Sequence, residues 1–339
     1  MYYSGIDQHK RDSYITTYGP DGPVVNQARV PNTPLHLQRY FAQLPGPHAA
    51  VVESTGSWYW LADTLQSLNV SLVLAHATRL KAISAAKVKT DKLDADTLAV
   101  LLRADLIPPA HMIAPERRGL RDLMRTRLRL IERRRSAQNS IARLLEKFNV
   151  GAVEALDAAY QLQASCHHAQ SELLAQHVRS LEAALYPVLI PNADVQRLLW
   201  IPGIGKVNAF TIYTEIDGIA RFPSAKQFFS SCRLVPGADH SGGRTRHRSG
   251  SKAGNRYVKI AFSHAAVRAM QYYPEIRAFY RAKVRRKPIR IARTLVALEL
   301  ARIVYHVLRT QADFNGCFKG TPLKRRKQPQ WPRLASPAA

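Results

Sequence analysis

The sequence predicts an α/β domain followed by a longer, mainly helical region. Over roughly the first hundred residues, short apolar runs of strand length alternate with helical periodicity. Beyond Glu116, apolar positions recur at three- and four-residue spacing with few interruptions. Three strand-like runs precede the first helix, and that sets the order within the α/β part.

Residues 2–7 and 13–18 read as strands, and Gly19-Pro20-Asp21-Gly22-Pro23 turns the chain into a third at residues 24–30. A helix over residues 35–44 follows, and residues 48–53 form a buried-type strand that ends on Glu53. Residues 58–68 are helical, 71–75 a strand and 91–103 a strong helix. This order is expected of an RNase H-like domain, which the prolines at 108, 109 and 115 bring to an end. The division is therefore an RNase H-like domain at 1–108, a helical, coiled-coil region at 109–190, a C-terminal domain at 191–312 and a tail at 313–339. In the second region Leu174, Val178, Leu181 and Leu185 form a coiled-coil-like stripe, which fits a dimer or a hairpin folded on its own domain. The tail carries Lys324-Arg325-Arg326-Lys327 and several prolines and is expected to be a disordered basic extension.

Charge narrows the function. The chain has 50 Lys and Arg against 24 Asp and Glu among 339 residues, a formal net charge of +26. That excess is spread along the chain and calls for a polyanion, with DNA or RNA as the leading candidate. No long apolar run or signal-peptide pattern points to a membrane. A hydrophobic content of 46% gives more core than a simple structural binder carries. Cys166, Cys232 and Cys317 are scattered, which argues against a zinc site or a disulfide framework and suits a reducing cytoplasm.

Against this basic background four acids stand out. Asp7 ends the first strand and Glu53 a later central one, just before Ser54-Thr55-Gly56. Asp91 and Asp94 lie three apart, on one face of a helix. Carboxylates gathered on a DNA-facing surface repel one another and the phosphates unless a divalent ion neutralises them, and their hard oxygens suit Mg2+ (or Mn2+). Each also has a plainer explanation: Asp91 follows a good N-cap in Thr90, Asp94 can pair with Lys87 or Lys89, and Asp7 with Lys10. All four in this element order favour a metal-dependent phosphodiester chemistry. Asp96 falls on another helical face and stands apart.

Two further motifs suit nucleic acid. The run from Leu198 to Phe210, with Gly203, Gly205 and Lys206 at its turn, has the form of a helix-hairpin-helix element that contacts a phosphate backbone. Downstream, Ser241 stands before Gly242-Gly243 in a loop with Arg244, Arg246, Arg248 and Lys252. A serine there suits attack on phosphorus, with guanidiniums to stabilise developing charge and His240 or His247 to accept the proton. From the residues alone, a loop that merely grips phosphate is the stronger reading. Arg125, Arg129 and Arg133 in the arginine-rich helix after Glu116 complete the expected nucleic-acid-binding set.

These runs resemble the DEDD-type transposases of the insertion-sequence-110 family, relatives of the Piv DNA invertases. Gly5-Ile6-Asp7 resembles the first acidic motif, Val52-Glu53 with the Ser54-Thr55-Gly56 that follows the second, and Lys89-Thr90-Asp91 through Asp94-Ala95 the third and fourth. Ile201 to Gly205, Ser241-Gly242 and Ser251 to Gly254 resemble the C-terminal transposase domain. The resemblance implies a RuvC-like domain, a coiled-coil dimerisation region, Ser241 as nucleophile, and a composite site that joins acids and serine. It also implies a homo-oligomer, dimer or tetramer, and a structured bridge RNA that pairs with target and donor DNA, so that pairing reads sequence while protein reads shape. Two alternatives stay open: a hydrolytic RuvC-like nuclease or junction resolvase, and a non-catalytic nucleic-acid-binding protein.

Overall fold

A computed structural model describes residues 1–54, 57–83, 90–235 and 254–324, with 237–241 and 244–248 as backbone. The chain divides into two compact units, Met1–Met112 and Ile113–Ala339.

The first unit is built on a five-stranded sheet in the order β3-β2-β1-β4-β5. Strands β1 (Tyr2–Gln8), β2 (Asp12–Tyr18) and β3 (Val24–Pro31) form an antiparallel meander, and β4 (His48–Glu53) and β5 (Val70–Ala75) add in parallel. Helix α1 (Pro34–Ala42) opens on a Thr33 cap that accepts from the His36 amide, α2 (Trp58–Ser67) joins β4 to β5, and α3 (Ala77–Leu80) is a single turn. Strand alternation sorts the two faces. Ser4, Ile6, Ile15 and Thr17 are buried on one, where a chain of hydroxyls runs from Ser4 through Thr17 to Tyr40 of α1 at 2.8 Å per step. Across the other lies α4 (Asp91–Arg103), which sets Ala95 and Ala99 on Gly5 and packs Leu98 with Val51, Ala75 and Leu80. Residues 108–110 then run beside β5: His76 N–H donates to Pro108 O and Ala110 N–H to Leu74 O.

The second unit starts with two long helices, α5 (Pro115–Phe148) and α6 (Ala158–Leu189), which pack as a hairpin reversed at left-handed Asn149. Leu174, Val178 and Leu185 are buried within this chain, so the stripe is spent on the hairpin and gives no argument for a dimer. Helices α7 (Ala193–Leu199), α8 (Lys206–Ile216) and α9 (Ala225–Ser231) follow, then the strands β6 (Gly237–Ser241) and β7 (Arg244–Arg248). Helices α10 (Arg256–Tyr272), α11 (Pro274–Val284) and α12 (Ile289–Thr310) lead to a short hairpin of β8 (Cys317–Phe318) and β9 (Thr321–Pro322). Met124 and Leu189 of the long hairpin share one core with Phe210, Phe228, Phe262, Leu300 and Phe318. The helical region expected to stand apart at 109–190 is thus continuous with the helices after 191. The expected tail also starts later. Phe318, 2% exposed, anchors the β8–β9 hairpin to the core, so residues 313–324 are folded, and 325–339 lie outside the described residues. Among the described residues, no helix is long and apolar enough to cross a membrane.

Candidate active site

Asp7 and Glu53 sit at the C-terminal ends of adjacent parallel strands. The register pairs Ile6 with Val52, so the two acids stand side by side one residue later. Helix α4 brings the other pair. Thr90 caps it by accepting from the Leu93 amide at 3.2 Å, and Asp91 and Asp94 occupy its first turn. What lets this turn lie over β1 is Gly5: a Cβ there would sit 2.0 Å from Ala95 O and 2.5 Å from Ala99 N. Asp7 is two residues beyond Gly5 and so on the same face of the strand.

The resulting field is visible in Asp7. Burial raises its carboxyl pKa above the usual range, and the charges of Asp94, Asp91 and Glu53 push it further, opposed by His9. The charges of the other three predicted acids are therefore all felt at Asp7. His9 Nε2 lies 3.2 Å from Asp7 Oδ2 and 3.2 Å from Asp91 Oδ1, and bridges the two carboxylates. Arg29, on β3, reaches Asp91 at 2.5 Å and Asp12 at 3.3 Å. A ligand atom from each of Asp7, His9 and Asp91 lies within 4.8 Å of the others, a donor set that fits a divalent cation.

His9 and Arg29 were missed in the sequence. The signal for His9 was its place two residues after Asp7, where alternation returns a side chain to the same face. Asp7 meets His9 rather than the Lys10 considered above. Thr90 is the helix cap it looked like, and this leaves the Asp91 carboxylate free to turn toward His9 and Arg29. Asp96 does stand apart: it accepts from the Tyr18 hydroxyl at 2.6 Å, tying α4 to β2. Burial and that bond push the Tyr18 pKa up to about 12. Lys87, Lys89, Thr55 and Gly56 lie outside the described residues.

In the second unit the predicted residues divide. Residues 200–205 turn the chain between α7 and α8, with Gly203 at φ +77°. Its lack of a side chain serves packing: a Cβ would be 2.1 Å from Ala265 O on α10. Gly205 precedes α8 with no side-chain cap, and Lys206 Nζ sits 4.8 Å from the Tyr186 ring centroid. Strands β6 and β7 pair Ser241 with Arg244, Asp239 with Arg246 and Gly237 with Arg248, which places Ser241 at the closed end of a hairpin. Lys252 lies outside the described residues. Arg129 and Arg133 are on α5, and both are exposed.

Arg125 has a different duty. Its guanidinium forks onto Glu215 at 2.6 and 2.8 Å and stacks 4.7 Å from the Tyr257 ring centroid. Glu215, with a side chain only 1% exposed, also accepts from Asn255 at 2.6 Å, and Asn255 caps α10 just after the serine segment. Arg125 is thus committed to the core, where the Glu215 charge needs it, and is withdrawn from the nucleic-acid-binding set. Arg125→Ala is expected to destabilise the protein by about 3 kcal/mol, because it strands a buried carboxylate. Urea denaturation checks the cost. The salt slope of DNA binding should stay at its wild-type value.

Comparison with known proteins relates the chain to transposases. Residues 4–150 match the DEDD transposase family of IS110 type, described as transposase, and residues 195–281 match the transposase IS116/IS110/IS902 family. A probable family 20 transposase of Pseudomonas aeruginosa is 26% identical over 82% of this chain and 89% of its own length. The transposase for insertion sequence element IS1328 of Yersinia enterocolitica is 22% identical over 91% of this chain and 96% of its own. The transposase for insertion sequence element IS1111A of Coxiella burnetii is 23% identical over 67% and 68%. The first matched stretch includes Asp7, Glu53, Asp91 and Asp94, and the second includes the α7–α8 turn and Ser241. The chain belongs to the IS110 family of DEDD transposases.

Proposed function

We propose that this transposase excises and inserts its element by strand exchange through a transient phosphoserine at Ser241. The observation that carries the reading is the convergence of Asp7, Glu53, Asp91 and Asp94 on one centre, where the other three acids raise the Asp7 pKa and a divalent cation is the natural counterion. The sheet order with α4 across it supports an RNase H-like, RuvC-like assignment. Mg2+ or Mn2+ held by these acids would supply positive charge to a scissile phosphate. The Ser241 oxygen then forms a bond to phosphorus as the bond from phosphorus to the sugar oxygen breaks. The phosphoester energy is kept for rejoining, and ATP is not required. Arg244, Arg246 and Arg248, on the strand beside Ser241, bring the cationic charge such a transfer needs.

The family resemblance implies a bridge RNA that reads sequence by pairing, and a net charge of +26 suits a protein that holds DNA and RNA backbones. A homo-oligomer is part of the same reading.

The experiment is to incubate the protein with labelled element DNA, RNA transcribed from the element and Mg2+, and then to separate protein–DNA adducts under denaturing conditions. Wild type should form an adduct that Ser241→Ala lacks. Cleavage without an adduct, persisting in Ser241→Ala, would establish the hydrolytic nuclease instead. Binding with no metal-dependent cleavage would leave only a binding protein.

A further inference from the structure

The strands that carry Ser241 leave the helical core and return to it through a neck whose two sides are joined. The outgoing side is anchored by Cys232 and Leu234, each 1% exposed. The returning side begins at Gly254 and Asn255. Across the neck the Asn255 amide donates to Ser231 O at 2.7 Å, and Arg233 Nε donates to Gly254 O at 2.7 Å. The backbones also touch. Gly254 stands at φ +105°, and a Cβ there would lie 2.6 Å from Ser231 O and 3.0 Å from Ser230 O, so glycine is required both for the conformation and for the approach.

One side chain ties this neck to the core. Asn255 Oδ1 accepts from the Tyr257 and Val258 amides at 2.9 and 3.2 Å, which caps α10. Its Nδ2 donates to Glu215 Oε2 at 2.6 Å. Capping needs only the oxygen, and aspartate or serine would supply it about as well. The amide nitrogen therefore has a separate duty. It holds the neck on a carboxylate that Arg125 grips in a fork and whose side chain is 1% exposed. Hydrogen bonds to an ionised group are shorter and stronger than neutral ones. This one joins α5, α8 and α10 at the place where the serine strands attach.

We propose that Asn255 is a positioning residue for strand exchange: its hydrogen bond to Glu215 fixes the neck, and with it the direction from which Ser241 is presented to the scissile phosphate. The proposal rests on the reading of Ser241 as the nucleophile. Asn255 acts through the hairpin and not on the phosphate.

The test is the rate of protein–DNA adduct formation by the full chain, measured over a DNA concentration series with Mg2+ and the element RNA. Asn255→Ser keeps an oxygen to cap α10 but cannot reach Glu215. It should lower the saturating rate by on the order of 10- to 100-fold, the scale on which a misplacement of about 1 Å is felt. The DNA concentration for half-maximal rate should not move, and melting should stay close to wild type. A second variant reverses the bond. In Glu215→Gln with Asn255→Asp the new amide donates to the new carboxylate, and most of the wild-type rate should return. Asn255→Asp alone, which sets two carboxylates face to face, should stay slow. If Asn255→Ser does not fold, the contrast between these last two decides. A wild-type saturating rate in Asn255→Ser overturns the proposal. So does a loss that appears as weaker DNA binding, that is no larger than the unfolded fraction, or that persists in the double variant although its melting matches wild type. A wild-type protein that forms no adduct overturns the serine reading and this proposal with it. A normal wild-type adduct with Asn255→Ser unaffected overturns this proposal alone.

Discussion

Asp91→Asn is expected to lower metal-dependent strand cleavage by on the order of 10^2- to 10^3-fold or more, the scale on which loss of one group that stabilises transition-state charge is felt. Folding should be nearly untouched. Thr90 still caps α4, and the substitution weakens only the ion pairs to Arg29 and His9, both well exposed and worth at most about 1 kcal/mol. A cleavage assay with a melting curve separates the two effects. Asp7→Asn should lose activity alike but gain stability in the absence of metal. The Asp7 pKa is raised in the fold, chiefly by burial. Its protonation therefore favours the folded state fully below the unfolded carboxylate pKa, and that advantage is lost as pH rises through the higher folded value. Asparagine stays neutral throughout, so the variant should melt higher than wild type near neutral pH in EDTA and lose that margin in acid.

Gly5→Val is expected to cost about 3 kcal/mol or more, at or beyond the top of the range for overpacking a core. The atoms its side chain would meet are backbone, Ala95 O and Ala99 N, and cannot rotate away. Helix α4 must therefore lift from β1, which carries Asp91 and Asp94 away from Asp7. Urea denaturation should show the loss of stability, and metal-dependent cleavage should disappear even where the protein remains folded. Gly119→Ala is the control. It lies on α5 with nothing within 4 Å of a new Cβ and should stabilise by about 0.5–1 kcal/mol through helix propensity.

Much of the first unit was legible because its signals are local. A buried run such as residues 48–53 reads as a central strand, and the acids at the ends of β1 and β4 announce the edge at which they meet. The same holds for the N-terminus of α4, where Thr90 and Asp91 play the two parts their types suggest. What stayed hidden depends on partners distant in sequence. Arg125 looked like a free cation because Glu215 is 90 residues further on, and only the fold brings the two together. The apolar stripe on α6 suggested a second chain because nothing in the sequence says that α5 covers it. Gly203 looked like a phosphate-binding glycine, and its reason is the backbone of α10 lying against it. His9 was passed over because a single histidine beside acids has no spacing pattern. Its role appears only once Asp91 arrives from α4.

The central claim, that acids from β1, β4 and α4 form one divalent-metal centre, is tested most directly by Mn2+ binding to the full chain, followed by electron paramagnetic resonance. Wild type should bind the ion, and Asp7→Asn and Asp91→Asn should each weaken binding by on the order of 10- to 100-fold or more, the scale on which altering even an outer partner of a metal ligand is felt. Equal binding by wild type and by an Asp7→Asn, Glu53→Gln, Asp91→Asn triple variant would contradict the account.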